Sequence, residues 1–368
     1  MKILVTGGTG MTGKHLQTLM PSATYLGSSI DLRDYNKTLN YLNVNKFDIV
    51  VHLAAQVGGI KANLDKPVKY FEDNILINTN TLKASYQTGV KRFIGILSTC
   101  AYPDIVDHYP MDENDLHKGP PSISNLGYGY SKRCLALQIE AYNNQYNTQY
   151  QYLIPSNLYS EYDTKSENES HFINSLIHKI IQAEKENKKE ITLWGTGKSL
   201  RQCTYALDFS KIIYYIIKDN ITDSFNISEP NNYSINEIAQ IALLVLNKND
   251  WKINYINSNL DGQYRKDVSI DKMKKYFPNF EFTTLQQGIK KVYNEIKSKQ
   301  DNNQLKRGDS FNTKEGTYII YIGNNHKWYH LPKKLQDLFT RLKGKHVTMV
   351  GGSDAECFLD VETAAKVF

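Results

Sequence analysis

Lys2-Ile3-Leu4-Val5-Thr6-Gly7-Gly8-Thr9-Gly10-Met11-Thr12-Gly13 opens the chain and decides its fold. An apolar run meets glycines at positions 7, 10 and 13, and Lys14-His15-Leu16-Gln17-Thr18-Leu19 then begins a helix. Glycines at such a turn allow a tight bend and close backbone approach to a pyrophosphate at a helix N-terminus. A bare glycine pattern is a weak signal. At a strand-to-helix turn it reads as a dinucleotide cradle rather than a plain turn. Phe47-Asp48-Ile49-Val50-Val51-His52-Leu53-Ala54-Ala55 is a further strand and turn, and Phe93-Ile94-Gly95-Ile96-Leu97 another, with a helical stretch over 70–88 between them. Strand, helix, strand at this rhythm predicts an α/β fold with a doubly wound parallel sheet.

The rest of the composition bounds the alternatives. The chain has 368 residues, 40% hydrophobic and 22% charged, which is globular and long enough for a two-lobed domain or two to three units. A formal charge of +6 suits a phosphate-bearing ligand and does not require nucleic acid. Cys100, Cys134, Cys203 and Cys357 are scattered, which argues against a disulfide framework or a zinc ribbon, so no metal set is expected. Met1 leads straight into a strand-like run, and no apolar stretch is long enough to span a bilayer. The expectation is a cytoplasmic protein with no membrane partner.

The chemistry-bearing stretch runs from Ser98-Thr99-Cys100-Ala101-Tyr102-Pro103 to Tyr128-Gly129-Tyr130-Ser131-Lys132. Tyr128 and Lys132 are four residues apart, so on a helix they share a face. An ammonium near a phenol favours the phenolate, which lets a tyrosine trade a proton with a carbonyl or alcohol nearer neutral pH. A hydroxyl from Ser98 or Thr99 could hold the same oxygen. Alone, this spacing more often marks a surface pair.

The spacing Gly7-x-x-Gly10-x-x-Gly13 resembles that of the extended short-chain dehydrogenases/reductases. Ala23-Thr24-Tyr25-Leu26-Gly27 looks like the second strand, closed by Ser28 and Ser29. A carboxylate there would bind the ribose diol and repel a 2′-phosphate, so its absence points to NADPH. Two stretches narrow the resemblance. Leu53-Ala54-Ala55-Gln56-Val57-Gly58-Gly59-Ile60-Lys61-Ala62-Asn63 closely resembles the Ala-Ala-x-Val-Gly-Gly-Ile-x-Ala-Asn segment of GDP-L-fucose synthases. Ser98 to Pro103 resembles their Ser-Ser-Cys-Ile-Tyr-Pro. The resemblance implies a Rossmann-type domain with a smaller carboxy-terminal substrate lobe, and a homodimer. It places NADPH against Gly7, Gly8, Thr9, Gly10, Met11, Thr12 and Gly13, Asp31 and Leu32, Leu53, Ala54 and Ala55, Leu97 and Thr99, Lys132, and Pro155, Asn157 and Leu158.

Enzymes of that family epimerise C3 and C5 of GDP-4-keto-6-deoxy-mannose and then reduce the C4 ketone. The resemblance implies Tyr128 as proton donor to the C4 oxygen, with Ser98 hydrogen-bonded to the same atom. Lys132 would bind the nicotinamide ribose and depress the tyrosine pKa. Cys100 matches the family's proton-transferring cysteine, and His171 its histidine; which is base at each carbon stays open. Lys179, Trp194, Arg201, Asp261 and Lys266 match its substrate contacts. Two segments depart from the pattern: Ser160-Glu161-Tyr162-Asp163, and Gln202-Cys203-Thr204-Tyr205-Ala206-Leu207-Asp208, which puts the exact sugar in doubt. A reductase-only or epimerase-only enzyme on another GDP-4-keto sugar, such as a deoxyheptose, is the enzymatic alternative. A non-catalytic NADPH-sensing module is the other.

The expected layout is an NADP-binding domain over 1–160 with parts of 200–230, a substrate lobe over 161–298, a polar linker over 299–313 and a small appended α/β unit over 314–368. In that unit Tyr318–Ile322 and His346–Val350 read as strands, and Leu335, Leu338, Phe339 and Leu342 as a helix face. Glu356 to Phe368 reads as a second helix. Its basic residues outnumber its acidic ones, but its aromatics are not interleaved with them for base stacking. An oligomerisation or docking appendage is the first expectation, ahead of nucleic acid.

Overall fold

In a computed structural model, which describes residues 1–163, 171–256, 261–303, 310–313 and 316–319, the apolar runs of the amino-terminal half are parallel strands. Two compact units are present, Met1–Asn294 and Glu295–Phe368.

The first unit opens with β1 (Ile3–Thr6), α1 (Met11–Leu19), β2 (Thr24–Leu26), α2 (Tyr35–Asn45), β3 (Ile49–His52), α3 (Ile60–Asp65), α4 (Pro67–Gln87), β4 (Arg92–Ile96), α5 (Leu126–Tyr146), β5 (Gln151–Pro155) and β6 (Asn157–Tyr159). It continues through α6 (Phe172–Lys185), β7 (Glu190–Trp194), β8 (Leu200–Arg201), β9 (Cys203–Tyr205), α7 (Ala206–Lys218), β10 (Phe225–Ile227), β11 (Tyr233–Ser234), α8 (Ile235–Val245), β12 (Lys252–Ile256), α9 (Asp271–Tyr276) and the first half of α10 (Leu285–Asn303). Six parallel strands pair in the order β10-β5-β4-β3-β1-β2.

Successive strand residues feed two different cores, which is why these strands read as unbroken apolar runs. Leu4, Val50, Phe93 and Ile154 join Leu42, Leu82, Leu135 and Ile139 of α2, α4 and α5 on one face. Val5, Val51, Ile94 and Leu153 join Leu16 of α1 and Phe209, Ile212, Ile213 and Ile216 of α7 on the other. Each fully buried aliphatic side chain contributes roughly 1.5–3 kcal/mol by leaving water. From β1 the chain steps to β2 on one side and to β3 on the other. A crevice opens beyond the carboxyl ends of strands at such a reversal.

Beyond β5 the chain builds a smaller layer in which β7 pairs parallel with β12. Helix α8 starts at a capping box: the Ser234 hydroxyl accepts from Glu237 N and the Glu237 carboxylate accepts from Ser234 N. No helix among the described residues is long and apolar enough to cross a membrane.

Residues 299–303, expected to begin a linker, are instead the last turn of α10. Polarity misled there: Ser298-Lys299-Gln300-Asp301-Asn302-Asn303 contains neither Gly nor Pro, and nothing breaks the helix. In the second unit β13 (Ser310–Thr313) pairs antiparallel with β14 (Gly316–Ile319), which contains the start of the strand expected over Tyr318–Ile322. The rest of that strand, the strand over His346–Val350, the helix face from Leu335 and the helix from Glu356 lie outside the described residues.

Candidate active site

The turn after β1 is built for close approach. Gly7 has φ +68°, and a Cβ there would lie 2.8 Å from Ala54 N. A Cβ on Gly13 would lie 2.5 Å from Gly8 O. Both positions therefore require glycine, and together they bring the loop flush against β3 and set α1 directly behind it. A cleft of about 890 Å³ opens over this turn. Gly7, Thr9, Gly10, Met11, Thr12 and Gly13 line it, with Asp31, Leu32, Leu53, Ala54, Ala55, Leu97, Lys132, Pro155, Asn157 and Leu158. The shape and the backbone donors of this cradle fit a dinucleotide.

Two residues of the expected cofactor set do not line the cleft. Gly8 donates its N–H to Leu26 O at 2.9 Å and faces Tyr25 on β2. Thr99 is buried in a single 3₁₀ turn, Thr99–Ala101, capped by the Ser98 hydroxyl accepting from Cys100 N. That turn rotates Thr99 into the interior and leaves Ser98 and Cys100 on the cleft side.

Tyr128 and Lys132 sit on the first turns of α5 and both are buried. The Lys132 ammonium donates to Ile96 O at 2.7 Å and lies 5.9 Å from the Tyr128 ring centroid. Burial lowers the Lys132 pKa to about 8. Burial raises the Tyr128 phenol well above its ordinary value; Cys100 adds to the rise and a hydrogen bond with Ser98 opposes it. The expected depression of the tyrosine by Lys132 is therefore not found. The ammonium is committed to the carbonyl at the end of β4, and desolvation dominates. Tyr128 keeps its proton at neutral pH, which is the form a proton donor needs.

Cys100 shows the opposite balance. Burial alone would raise the thiol, but the Lys266 ammonium, 3.5 Å from Sγ, outweighs it together with a hydrogen bond from Ser98 and the charge of Arg201. The net shift is downward. Ser98 thus favours the ionised form of both the phenol and the thiol.

His171 precedes α6 and also lines the cleft. Its Nδ1 lies 3.1 Å from Asp163 Oδ2, and its backbone N–H donates to the same oxygen at 3.0 Å. A carboxylate only accepts, so Nδ1 carries the hydrogen and Nε2 remains for chemistry.

The five expected substrate contacts reach the same cleft. Lys179 donates to Thr192 O at 2.7 Å. Arg201 donates to Leu200 O, Gln263 O and Asp261 O, which binds its fork to backbone carbonyls. The Asp261 carboxylate accepts from Thr196 N at 2.7 Å and Thr196 Oγ1 at 2.9 Å. Gly195, at φ +88°, makes room for it: a Cβ there would lie 2.3 Å from Asp261 Oδ1. Trp194 is partly exposed beside that turn.

The structure adds lining residues that sequence reasoning did not single out: Arg33, Gln56, Ser124, Asn125 and Gln263. Arg33 carried a legible signal, a cation beyond the second strand beside Asp31. Gln263 carried none, because its role is to hold Pro103 O and Asp104 O from 160 and 159 positions away. The segment 202–208 behaves differently from expectation. Gln202, Cys203, Thr204 and Tyr205 are buried in packing and do not line the cleft. Asp208 accepts from Thr283 N at 2.6 Å and pairs with Lys211.

Residues 3–228 match the NAD dependent epimerase/dehydratase family. The chain is 35% identical over 299 residues to a GDP-L-fucose synthase of Dictyostelium discoideum, covering 78% of this chain and 92% of that one. It is 32% identical over 255 residues to a GDP-L-colitose synthase of Yersinia pseudotuberculosis, covering 67% and 82%. A crystal structure of a GDP-L-fucose synthetase from Naegleria fowleri bound to NADP superposes with a TM-score of 0.72 at 30% identity, covering 82% of this chain and 93% of that chain. With the glycine cradle, the tyrosine–lysine pair and these likenesses together, the chain belongs to the NAD dependent epimerase/dehydratase family and, within it, to the GDP-L-fucose synthases.

Proposed function

We propose that this protein is an NADPH-dependent epimerase and reductase that converts GDP-4-keto-6-deoxy-D-mannose to GDP-L-fucose. The observation that carries the reading is the convergence of a proton-donor set and a proton-transfer set on one cleft: Tyr128, Ser98 and Lys132 beside Cys100 and His171. Epimerisation beside a ketone needs a base on one face, an acid on the other and a donor for the enolate oxygen. Cys100 and His171 supply the first two, and Ser98 holds the oxygen. Reduction then needs a proton at the same oxygen, which Tyr128 retains until that step. When bound, NADPH supplies the hydride to C4. Gly7, Gly10 and Gly13 admit its pyrophosphate, and Lys132 holds its ribose. Lys179, Trp194, Arg201 and Asp261 hold the nucleotide end of the sugar. A homodimer belongs to the same reading: Val68, Phe71, Leu76, Leu126, Tyr130 and Leu137 expose apolar surface on α4 and α5.

The test is incubation with GDP-4-keto-6-deoxy-D-mannose in heavy water, with and without NADPH, followed by mass spectrometry and NMR. Deuterium at C3 and C5 and NADPH-dependent formation of GDP-L-fucose are expected. Reduction without deuterium uptake would remove the epimerase half. No turnover with this sugar, alongside turnover of another GDP-4-keto sugar, would move the substrate and keep the chemistry.

A further inference from the structure

We propose that Lys266 is a positioning residue that holds Cys100 as its thiolate, in addition to any contact it makes with substrate. The proposal rests on the reading of Cys100 and His171 as the proton-transfer pair, and adds that Cys100 is the member that takes a proton from the sugar. Lys266 Nζ lies 3.5 Å from Cys100 Sγ, 166 positions away in sequence. The pairing is specific in place. Lys266 follows Gln263, which is tied to Pro103 O and Asp104 O, and precedes Asp267, which grips Arg265 at 2.6 Å. Asp267 O accepts from Met111 N and Val268 N donates to Gln202 Oε1, so the segment is fastened on both sides of the lysine. The ammonium is thus delivered by backbone anchoring rather than by a free side chain.

The groups around the sulfur leave little else to do this. Ser98 and Tyr128 are neutral donors at the same spot, and Arg201 is the second cation, its guanidinium already on three carbonyls. At Cys203, the neighbouring thiol, burial outweighs the charges of Arg201 and Lys266 and pushes the pKa up to about 12; at Cys100 Lys266 is also a direct hydrogen-bond donor to the sulfur. His171, Lys132 and Lys179 face the same cleft. The proton step balances simply. The C–H electron pair stays on the sugar as enolate, and the proton joins sulfur to give a thiol beside a lysine ammonium.

The experiment is the pH dependence of iodoacetamide alkylation at Cys100, read by peptide mass spectrometry, with Cys134 as internal reference. It uses the full chain and no sugar. In the wild-type protein the Cys100 midpoint is expected below that of an ordinary thiol, about 8.5. Lys266→Met should raise it by about a unit or more, a tenfold loss of thiolate below the midpoint, and Lys266→Arg should restore most of it. A wild-type midpoint at or above the ordinary value overturns the proposal without any variant, which covers the case in which Lys266→Met does not fold. An unchanged midpoint in folded Lys266→Met also overturns it, and would leave Lys266 as a substrate contact alone, seen as a raised KM. A shifted midpoint with no deuterium uptake by the wild-type enzyme would keep the pair and remove the epimerase reading.

Discussion

A carboxylate 3.1 Å from one imidazole nitrogen decides which nitrogen carries the proton. Asp163 does this for His171, and it holds the backbone N–H of the same residue. Asp163→Asn keeps the shape and removes the charge that fixes the tautomer. Deuterium incorporation into the sugar should fall, by at most roughly 100- to 10,000-fold, the typical range of a general acid–base contribution, while NADPH affinity measured by calorimetry stays the same. Equal rates in the two proteins would return Asp163 to a purely structural role. His52 is the other residue with a sharp consequence. It is fully buried, bonded to Thr6 Oγ1 at 2.9 Å and to Asn78 Oδ1 at 3.1 Å. Asn78 in turn donates to Ser131 O on α5. Burial, reinforced by the Lys132 charge, lowers the His52 pKa from 6.5 to about 3. The folded state thus excludes a proton that the unfolded chain takes up. Stability should fall as pH drops from about 6.5 toward 3, by up to about 1.4 kcal/mol per unit from this group. His52→Gln should flatten that slope in urea titrations between pH 6.5 and 4.5; parallel wild-type and variant curves would exclude His52 as its source.

At the scale of elements, the two stretches that depart from the family pattern are partners in space. Tyr205 of β9 donates to Glu161 Oε2 at 2.6 Å, and Ser160 donates to the same oxygen at 3.1 Å. Ser160 also bonds His15 on α1 at 2.8 Å. Separately the changes look like loosened geometry near the sugar; together they form one polar network behind the cleft wall, tying α1 to the loop that carries Asp163. A cycle of Glu161→Gln, Tyr205→Phe and the double variant should give a coupling of about 1–3 kcal/mol in chemical denaturation. Additive effects would mean that the two departures are independent. The sequence comparison could flag each departure, but pairing them required β6 to lie against β9, with Asn157 opposite Cys203.

At the scale of the whole molecule, the described residues that line the cleft fall between Gly7 and Lys266. A chain ended after Asn303 should therefore bind NADPH and turn over substrate as the full chain does. Loss of either would assign residues beyond 303 a direct part in the site. The exposed apolar side chains of α4 and α5 bear on assembly. If the wild-type protein sediments as the proposed dimer, a Phe71→Glu/Leu137→Glu variant should sediment as a monomer, with secondary structure unchanged. A wild-type monomer at micromolar concentration would remove the dimer from the proposal.

The sequence alone was enough for the parallel sheet, the glycine turn and the residue types of the chemistry, because each is written locally. Apolar runs specify buried strands, Gly7 and Gly13 specify a backbone no other residue fits, and Tyr128 and Lys132 need only one helix to share a face. What only the tertiary structure decided is charge. Lys132 was expected to lower the tyrosine, yet its ammonium is spent on Ile96 O and burial keeps Tyr128 protonated. Lys266 was expected in the cleft at the substrate, and the fold also sets it against the Cys100 sulfur. Ionisation depends on desolvation and on neighbours within a few ångströms, and those neighbours come from 36 and 166 positions away, where only the folded chain brings them.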